Sequence, residues 1–182
     1  MKFFQKRSVA LAIAVLTFVG ATTGNINLNL RRQAQQAEAL WEERSGPAQQ
    51  LETRRSAAVQ LCSVLSGYPE LEQEAAELRR VCQNWPEPAE PASAGSANAA
   101  LDRAAQAAYA AALEAPLSSR DRENAEYYYG LLENAGRVLE ESGYNDAVTA
   151  YNALLEDLPL RLLRPLVFVE APAYFEARGG IC

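Results

Sequence analysis

The 182-residue chain contains no histidine, and its only two lysines, Lys2 and Lys6, lie within the first seven residues. Without histidine, neither a Ser-His-Asp triad nor a Cys-His pair can form within the chain. The absence of lysine from the rest of the sequence also excludes a Ser-Lys dyad there. Helical di-iron sites of the Glu-x-x-His kind lack their histidine ligands.

Cysteine is also scarce, with only Cys62, Cys82 and Cys182. Three scattered cysteines do not favour a zinc site. If the helical pattern around the first two is continuous, they lie about 30 Å apart and cannot be bridged. Only a chain reversal at residues 66–69 would permit that bond, and Cys182 could pair with another chain. The favoured interpretation is free thiols, two of them as small core residues.

Glycine-rich phosphate loops are absent as well, because the only Gly-Gly pair is Gly179-Gly180. Carboxylate pairs such as Glu42-Glu43 and Glu140-Glu141 are typical of solvated helix faces. The sequence therefore predicts a protein that is not an enzyme, with no catalytic, cofactor-binding or metal residues. A hydrolase that uses carboxylates alone stays open as an alternative.

Charge is unevenly distributed along the chain. The net charge is −6, yet Lys2, Lys6 and Arg7 precede the first acid, which is Glu38. Without those three positive charges the net charge falls from −6 to −9. Because nucleic-acid binding depends on neutralising phosphates, so acidic a body predicts no nucleic-acid partner.

The leader, residues 1–24, has a basic start and then an uncharged run from Ser8 to Gly24. As a helix this run would be about 25 Å long, just short of a ~30 Å hydrocarbon core. It fits a cleaved signal peptide or an uncleaved signal anchor that the following NINLNL extends. Either interpretation places the N-terminus in the cytoplasm and sends the body across the membrane, with secretion as the alternative to anchoring.

The body is rich in alanine, leucine, glutamate, glutamine and arginine, which favours helix. Apolar spacing of three and four predicts helices over about 30–44, 47–83, 98–115 and 119–157. We expect a break at Ser45–Pro47 and a kink or register slip at Ser66–Pro69, with a full reversal as the alternative. Ser118 and Asp121 have the spacing of a capping box at the start of the fourth helix.

Two segments carry no helical pattern. The stretch 86–99 is proline-, alanine- and serine-rich and predicts a flexible loop. The apolar tail from residue 160 predicts short turns packed on the helices. The predicted fold is therefore all-α: an antiparallel bundle of about four long helices over residues 25–182, preceded by an N-terminal membrane helix.

The run GYNDAVTAYNALLEDLP holds the dipeptide Tyr-Asn twice, one heptad apart. At 100° per residue, Tyr144, Val148 and Tyr151 fall within one apolar stripe, whereas Asn145 and Asn152 fall on its boundary. The tyrosine rings then fill the core while each hydroxyl can form a hydrogen bond. The asparagine amides hydrogen-bond to a facing helix or to tail backbone. The alternative is a polar ladder that lines a groove for a partner.

The same run, followed by APAYFEA, resembles the C-terminal half of the LemA family. That family's motif has a long helix with two Tyr-Asn pairs, a proline, an apolar segment and an aromatic pair followed by an acid. The matching residues are Tyr144, Asn145, Val148, Tyr151, Asn152, Pro159, Tyr174, Phe175 and Glu176. Arg54-Arg55 stands where the family has an arginine pair, but the family's apolar Asp-Leu-Ile-Pro-Asn-Leu run is absent.

The resemblance implies a membrane-anchored helical bundle and turns the interpretation of the leader toward an uncleaved anchor. It supplies no catalytic residues. The function expected from it is that of a scaffold or interaction module, with the membrane and other membrane or envelope proteins as partners. The motif residues are then a structural or interaction surface.

Overall fold

A computed structural model describes residues 2–86, 90–156, 169 and 171–175. Within these residues all regular structure is helical, which confirms the predicted all-α class. The helices are α1 (Lys2–Glu42), α2 (Pro47–Leu65), α3 (Glu72–Gln83), α4 (Pro91–Glu114), α5 (Ser119–Glu140) and α6 (Tyr144–Glu156), with a 3-10 turn at Pro69–Leu71.

The chain divides into two compact units. The first comprises Met1–Glu38 and Asp146–Pro172, and the second comprises Ala39–Asn145 and Ala173–Cys182. Helices α2 to α5 belong to the second unit, whereas most of α1 and α6 belongs to the first.

The second unit contains the four-helix antiparallel bundle. Near one end of α2 and α5, Tyr68 donates a hydrogen bond to Asp121, and further along Arg54 lies against Gly136, so the two helices run in opposite directions. The core is aliphatic, since leucine and alanine supply most of the buried area. Its fully or almost fully buried members include Leu51, Ala58, Leu61, Leu65, Leu78, Leu101, Ala105, Ala108, Leu132 and Leu139.

The chain reverses between α2 and α3, so the predicted kink or register slip at residues 66–69 was wrong. Tyr68 is extended, with φ −122° and ψ 113°, because the following Pro69 disfavours the helical region for it. The two helices then pack side by side: the Cys62 thiol donates to the Ala75 carbonyl at 3.2 Å. The buried leucines on both helices stabilise this hairpin over a straight continuation.

Helix α4 begins earlier than the sequence predicted, which corrects the loop expected over 86–99. Pro91 occupies the first turn, where its missing N–H and fixed φ fit a helix start. Ala94 and Asn98 are completely buried, so burial anchors this turn despite its serines and glycine. Residues 87–89 lie outside the described part of the chain.

The predicted single helix over 119–157 is two helices, α5 and α6. Between them Gly143 adopts φ +70°, a left-handed conformation that glycine reaches without a Cβ clash. The helix is therefore interrupted where the sequence analysis expected only a weak point. The predicted break at Ser45–Pro47 is confirmed, since α1 ends at Glu42 and α2 begins at Pro47.

In the first unit, Leu30 and Ala37 of α1 are buried, as are Val148 and Tyr151 of α6. The predicted leader, 1–24, falls within α1 from Lys2 onward. Searching the described residues reveals no helix that combines the length and the apolar character needed to cross a bilayer. The division into a leader, 1–24, and a body, 25–182, stays a prediction.

Candidate functional site

The first Tyr-Asn pair lies at the first turn of α6, directly after the left-handed Gly143. This turn faces a short stretch of the tail, residues 173–175, within the second unit. The tail stretch has no helical or turn structure, which differs from the predicted short turns. Backbone outside regular structure leaves its carbonyl and N–H groups available to side chains of the helix.

Asn145 holds the backbone of Phe175 through both halves of its amide. Its Nδ2 donates to the Phe175 carbonyl at 2.6 Å, and its Oδ1 accepts from the Phe175 N–H at 3.0 Å. A primary amide matches a peptide group in this two-point geometry, because each supplies one donor and one acceptor. The predicted hydrogen bond from a boundary asparagine to tail backbone is thus confirmed for Asn145.

Tyr144 adds a third hydrogen bond to the same segment. Its hydroxyl donates to the Ala173 carbonyl at 2.8 Å, while its ring is 3% exposed. Burial raises the pKa of the Tyr144 phenol, which keeps the hydroxyl protonated as a donor at neutral pH. Together Tyr144 and Asn145 hold tail backbone two residues apart.

Trp41, near the end of α1, completes the site from a third part of the sequence. Its ring centroid lies 5.0 Å from that of Tyr144 and 5.6 Å from that of Phe175, tilted by 57° and 58°. These are favourable offsets for aromatic pairs. Phe175 is consequently 3% exposed between the helices. We call Trp41, Tyr144 and Asn145 the tail receptor.

The other predicted surface residues are not all gathered there. Val148 and Tyr151 are completely buried in the first unit, where the Tyr151 hydroxyl lies 3.5 Å from the Val169 carbonyl as donor. Burial also raises the pKa of Tyr151. Asn152 is half-buried, whereas Tyr174 is 48% exposed beside the docked Phe175. Pro159 lies outside the described residues.

A second polar cluster, which the sequence analysis missed, lies between α2, α4 and α5. Arg54 is 4% exposed and forms an ion pair with Asp102. Its guanidinium lies directly against Gly136, where a Cβ atom would overlap it. A buried arginine requires such a partner because an unpaired buried charge is very costly. The signal that could have found it is helical spacing, because Arg54 stands three residues after Leu51 and four before Ala58 on the buried face of α2.

Two stacked tyrosines cover this region. Tyr109 of α4 and Tyr129 of α5 have ring centroids 4.2 Å apart and planes within 5° of parallel. Partial burial raises the pKa of Tyr129, and the neighbouring Glu133 adds to that effect. The stacked rings and the Arg54–Asp102 ion pair thus join α2, α4 and α5.

At the start of α5, Ser118 is confirmed as the N-cap, but the reciprocal bond of a capping box is replaced, because the Ser118 N–H donates to Tyr68 instead of Asp121. The Ser118 hydroxyl accepts from the Asp121 N–H at 3.1 Å and donates to the Asp121 carboxylate at 2.7 Å. Tyr68 joins this cap, since its hydroxyl donates to Asp121 at 2.6 Å and accepts from the Ser118 N–H at 3.0 Å. The bond from Tyr68, followed by that from Ser118, lowers the pKa of Asp121.

The two body cysteines are buried free thiols. The chain reversal brings α2 and α3 together, but Cys62 lies opposite Ala75. Cys82 follows Ala75 by seven residues, or about 10 Å along α3, which exceeds the span of a disulfide. Burial first, and then proximity to Cys62, raise the pKa of Cys82 to about 11.

Beside the same turn is a half-open pocket of about 340 Å³, lined in part by Ser66, Tyr68, Glu72 and Arg79. The Arg79 guanidinium donates a 2.7 Å hydrogen bond to the hydroxyl of Ser66, which also lines the pocket. In the described parts of the chain, no three Cys, Asp or Glu side chains come together in a way that could hold a metal ion.

Comparison with known proteins found no matching family model, no similar curated protein and no similar solved structure. The arrangement of side chains therefore carries the functional argument.

Proposed function

We propose that the chain is a membrane-anchored, non-catalytic helical-bundle protein of the LemA type that acts as a scaffold or interaction module outside the cytoplasm. The observation that supports this most directly is the use of Tyr144 and Asn145, which hold peptide backbone at Ala173 and Phe175. Side-chain hydrogen bonds to backbone are how a protein holds a peptide segment, which is the task of an interaction module.

The sequence resemblance supports the same proposal. The residues that carry the LemA-like motif include Tyr144, Asn145 and Phe175, which are also the residues that make the tail contact. In the proposed function, these motif residues recognise a peptide segment. The basic start and uncharged run of the leader support an anchored chain with its body outside the cytoplasm.

Composition narrows the class of partner. The body is strongly acidic and the chain lacks histidine, so proteins fit better as partners than nucleic acids. Exposed apolar side chains on the second unit offer contact area, among them Tyr127, which is 65% exposed on α5. Exposed aromatic rings of this size are the residues that interfaces use as anchors.

Cross-linking in intact cells tests the proposed role. A photoreactive amino acid replaces Tyr127 in one variant and Tyr174, which is 48% exposed, in another. The expected result is a small set of defined adducts with membrane or envelope proteins, absent from unirradiated cells. If neither position yields an adduct above that background, the interaction role is wrong.

The anchor is tested separately by mass spectrometry of the mature N-terminus. An intact start at Met1 or Lys2 in the membrane fraction supports the anchored form. A start near Thr22 in the soluble fraction contradicts it and identifies a released, secreted or periplasmic binding module.

A further inference from the structure

The tail receptor of Trp41, Tyr144 and Asn145 binds a segment that is separate in sequence from all three residues. Among the described tail residues its contacts fall on Ala173 and Phe175, and Tyr144 and Asn145 donate hydrogen bonds to the carbonyl oxygens of these two residues. The Phe175 ring is buried against Trp41. Such a site recognises peptide backbone with an aromatic anchor.

We propose that the tail receptor is an exchangeable peptide-binding site, and that its occupant from another molecule is the tail of a second copy of this chain. The inference rests on the proposed role as an interaction module and names its partner. Ala173 and Phe175 supply the backbone groups that Tyr144 and Asn145 bind, and Phe175 supplies the ring that packs on Trp41. The same residues from another copy make the same contacts, as in exchange of an element between protomers.

Competition from the chain's own tail sets the strength of this exchange. A tethered segment has a high effective concentration at its receptor, on the order of millimolar. A second copy must therefore displace it, and exchange between wild-type chains is weak. Removing the Phe175 ring from one copy weakens the hold of its receptor on its own tail, and removing the Asn145 amide from another weakens the hold on an intact tail.

Those two variants give a direct test with the full-length chain in mild detergent. Asn145→Leu, immobilised, offers an intact tail; Phe175→Ala, injected over it, offers an intact receptor. The expected result is saturable binding, at least about tenfold tighter than that of injected wild-type chain, whose receptor is occupied. Injected double variant Asn145→Leu/Phe175→Ala is expected to bind no better than a blank surface.

A matched control uses the second Tyr-Asn pair. Immobilised Asn152→Leu carries the same substitution one heptad away and leaves Trp41, Tyr144 and Asn145 of its own receptor in place. It is expected to bind Phe175→Ala at least about tenfold more weakly than Asn145→Leu does. Equal binding to the two surfaces overturns the proposal, because the released tail would then not be the ligand.

A peptide measurement keeps the test decisive if one surface misfolds. The peptide APAYFEA, residues 171–177, is titrated into Phe175→Ala carrying Trp85→Phe, so that Trp41 is the only indole. Saturable change in Trp41 fluorescence is expected, and none with the peptide APAYAEA. If APAYFEA causes no change in Trp41 fluorescence, the proposal that the tail receptor binds peptide is overturned.

If the peptide binds while the folded variants do not bind each other, exchange between copies is wrong. These measurements use purified protein alone, so their failure is distinct from a failure to cross-link partners in cells.

Discussion

The two Tyr-Asn pairs of α6 are identical in sequence, one heptad apart, and yet they do different work. At the first, Tyr144 and Asn145 make three hydrogen bonds to a segment of the tail. At the second, Tyr151 is completely buried, and its hydroxyl has one long contact of 3.5 Å to the Val169 carbonyl. Its neighbour Asn152 is half-buried.

The difference separates what a helix dictates from what its surroundings decide. Helical periodicity places both tyrosine rings on the buried stripe, so both are interior residues. What an amide on the stripe's boundary binds depends on which distant segment arrives beside it. Both tyrosines are thus packing residues, and among the described residues the first pair makes the shorter hydrogen bonds to tail backbone.

The largest expected effect breaks the packing of the second pair. Tyr151→Ala removes a side chain that is 0% exposed and should lower the free energy of unfolding by about 3–5 kcal/mol. Denaturant titration followed by circular dichroism measures it. Ala153→Ser, at an exposed position of the same helix, should stay within about 0.5 kcal/mol of wild type. Comparable losses from both substitutions would contradict the assigned burial.

The second largest expected effect compares the side-chain amides of Asn145 and Asn152. Asn145→Leu removes two hydrogen bonds and leaves the Phe175 N–H without its acceptor, so tail docking should weaken by about 1–3 kcal/mol. The expected readout is faster proteolysis after Tyr174 and Phe175 with the helix content unchanged.

Asn152→Leu is the matched substitution, and it should fold while loosening helix register or the docking of the tail. A thermal midpoint and a proteolysis pattern identical to those of wild type would count against that expectation. Faster cleavage in Asn152→Leu than in Asn145→Leu would reverse the comparison between the two pairs.

A smaller effect distinguishes the two hydroxyls. Tyr144→Phe loses the 2.8 Å bond to the Ala173 carbonyl and should weaken tail docking by about 1 kcal/mol. Tyr151→Phe loses only the 3.5 Å contact and should change stability by less than about 0.5 kcal/mol. Hydrogen exchange at the Phe175 amide reports the first change and should not report the second.

The smallest expected effect is a pH dependence of stability at the N-cap of α5, which serves as a control for the tail experiments. The pKa of Asp121 lies below its ordinary value because Tyr68 and Ser118 donate to the carboxylate. Its stabilising contribution is therefore complete above the ordinary pKa and is lost as the pH falls through the folded-state value. The gap in thermal midpoint between wild type and Asp121→Asn should close on acidification. Proteolysis of the tail should not follow that titration.

Much of the architecture follows from local pattern. The helical class, the cap at Ser118 and the burial of Tyr144 and Tyr151 all depend on periodicity and on spacing within a few residues. Tail backbone was one of two partners that sequence reasoning left open for Asn145. Choosing between them requires the tertiary structure, because both partners offer the same hydrogen-bonding groups.

The errors share a physical origin. At Tyr68 and at Gly143 the chain could continue with a kink or turn away, and contacts far along the sequence decide between these outcomes. Trp41 and Arg54 were missed as partners for a similar reason. Trp41 meets a tail 134 residues later, and Arg54 meets Asp102 and Gly136 on two other helices.

The register between α2 and α3 has a chemical consequence for the two buried thiols. Cys62 and Cys82 are each 5% exposed and are too far apart along the hairpin to protect each other by a disulfide. An alkylating reagent can reach them only when the hairpin opens, so labelling rates measure the opening equilibrium of this part of the bundle. Mass spectrometry of the alkylated protein therefore measures local unfolding of this hairpin without any substitution.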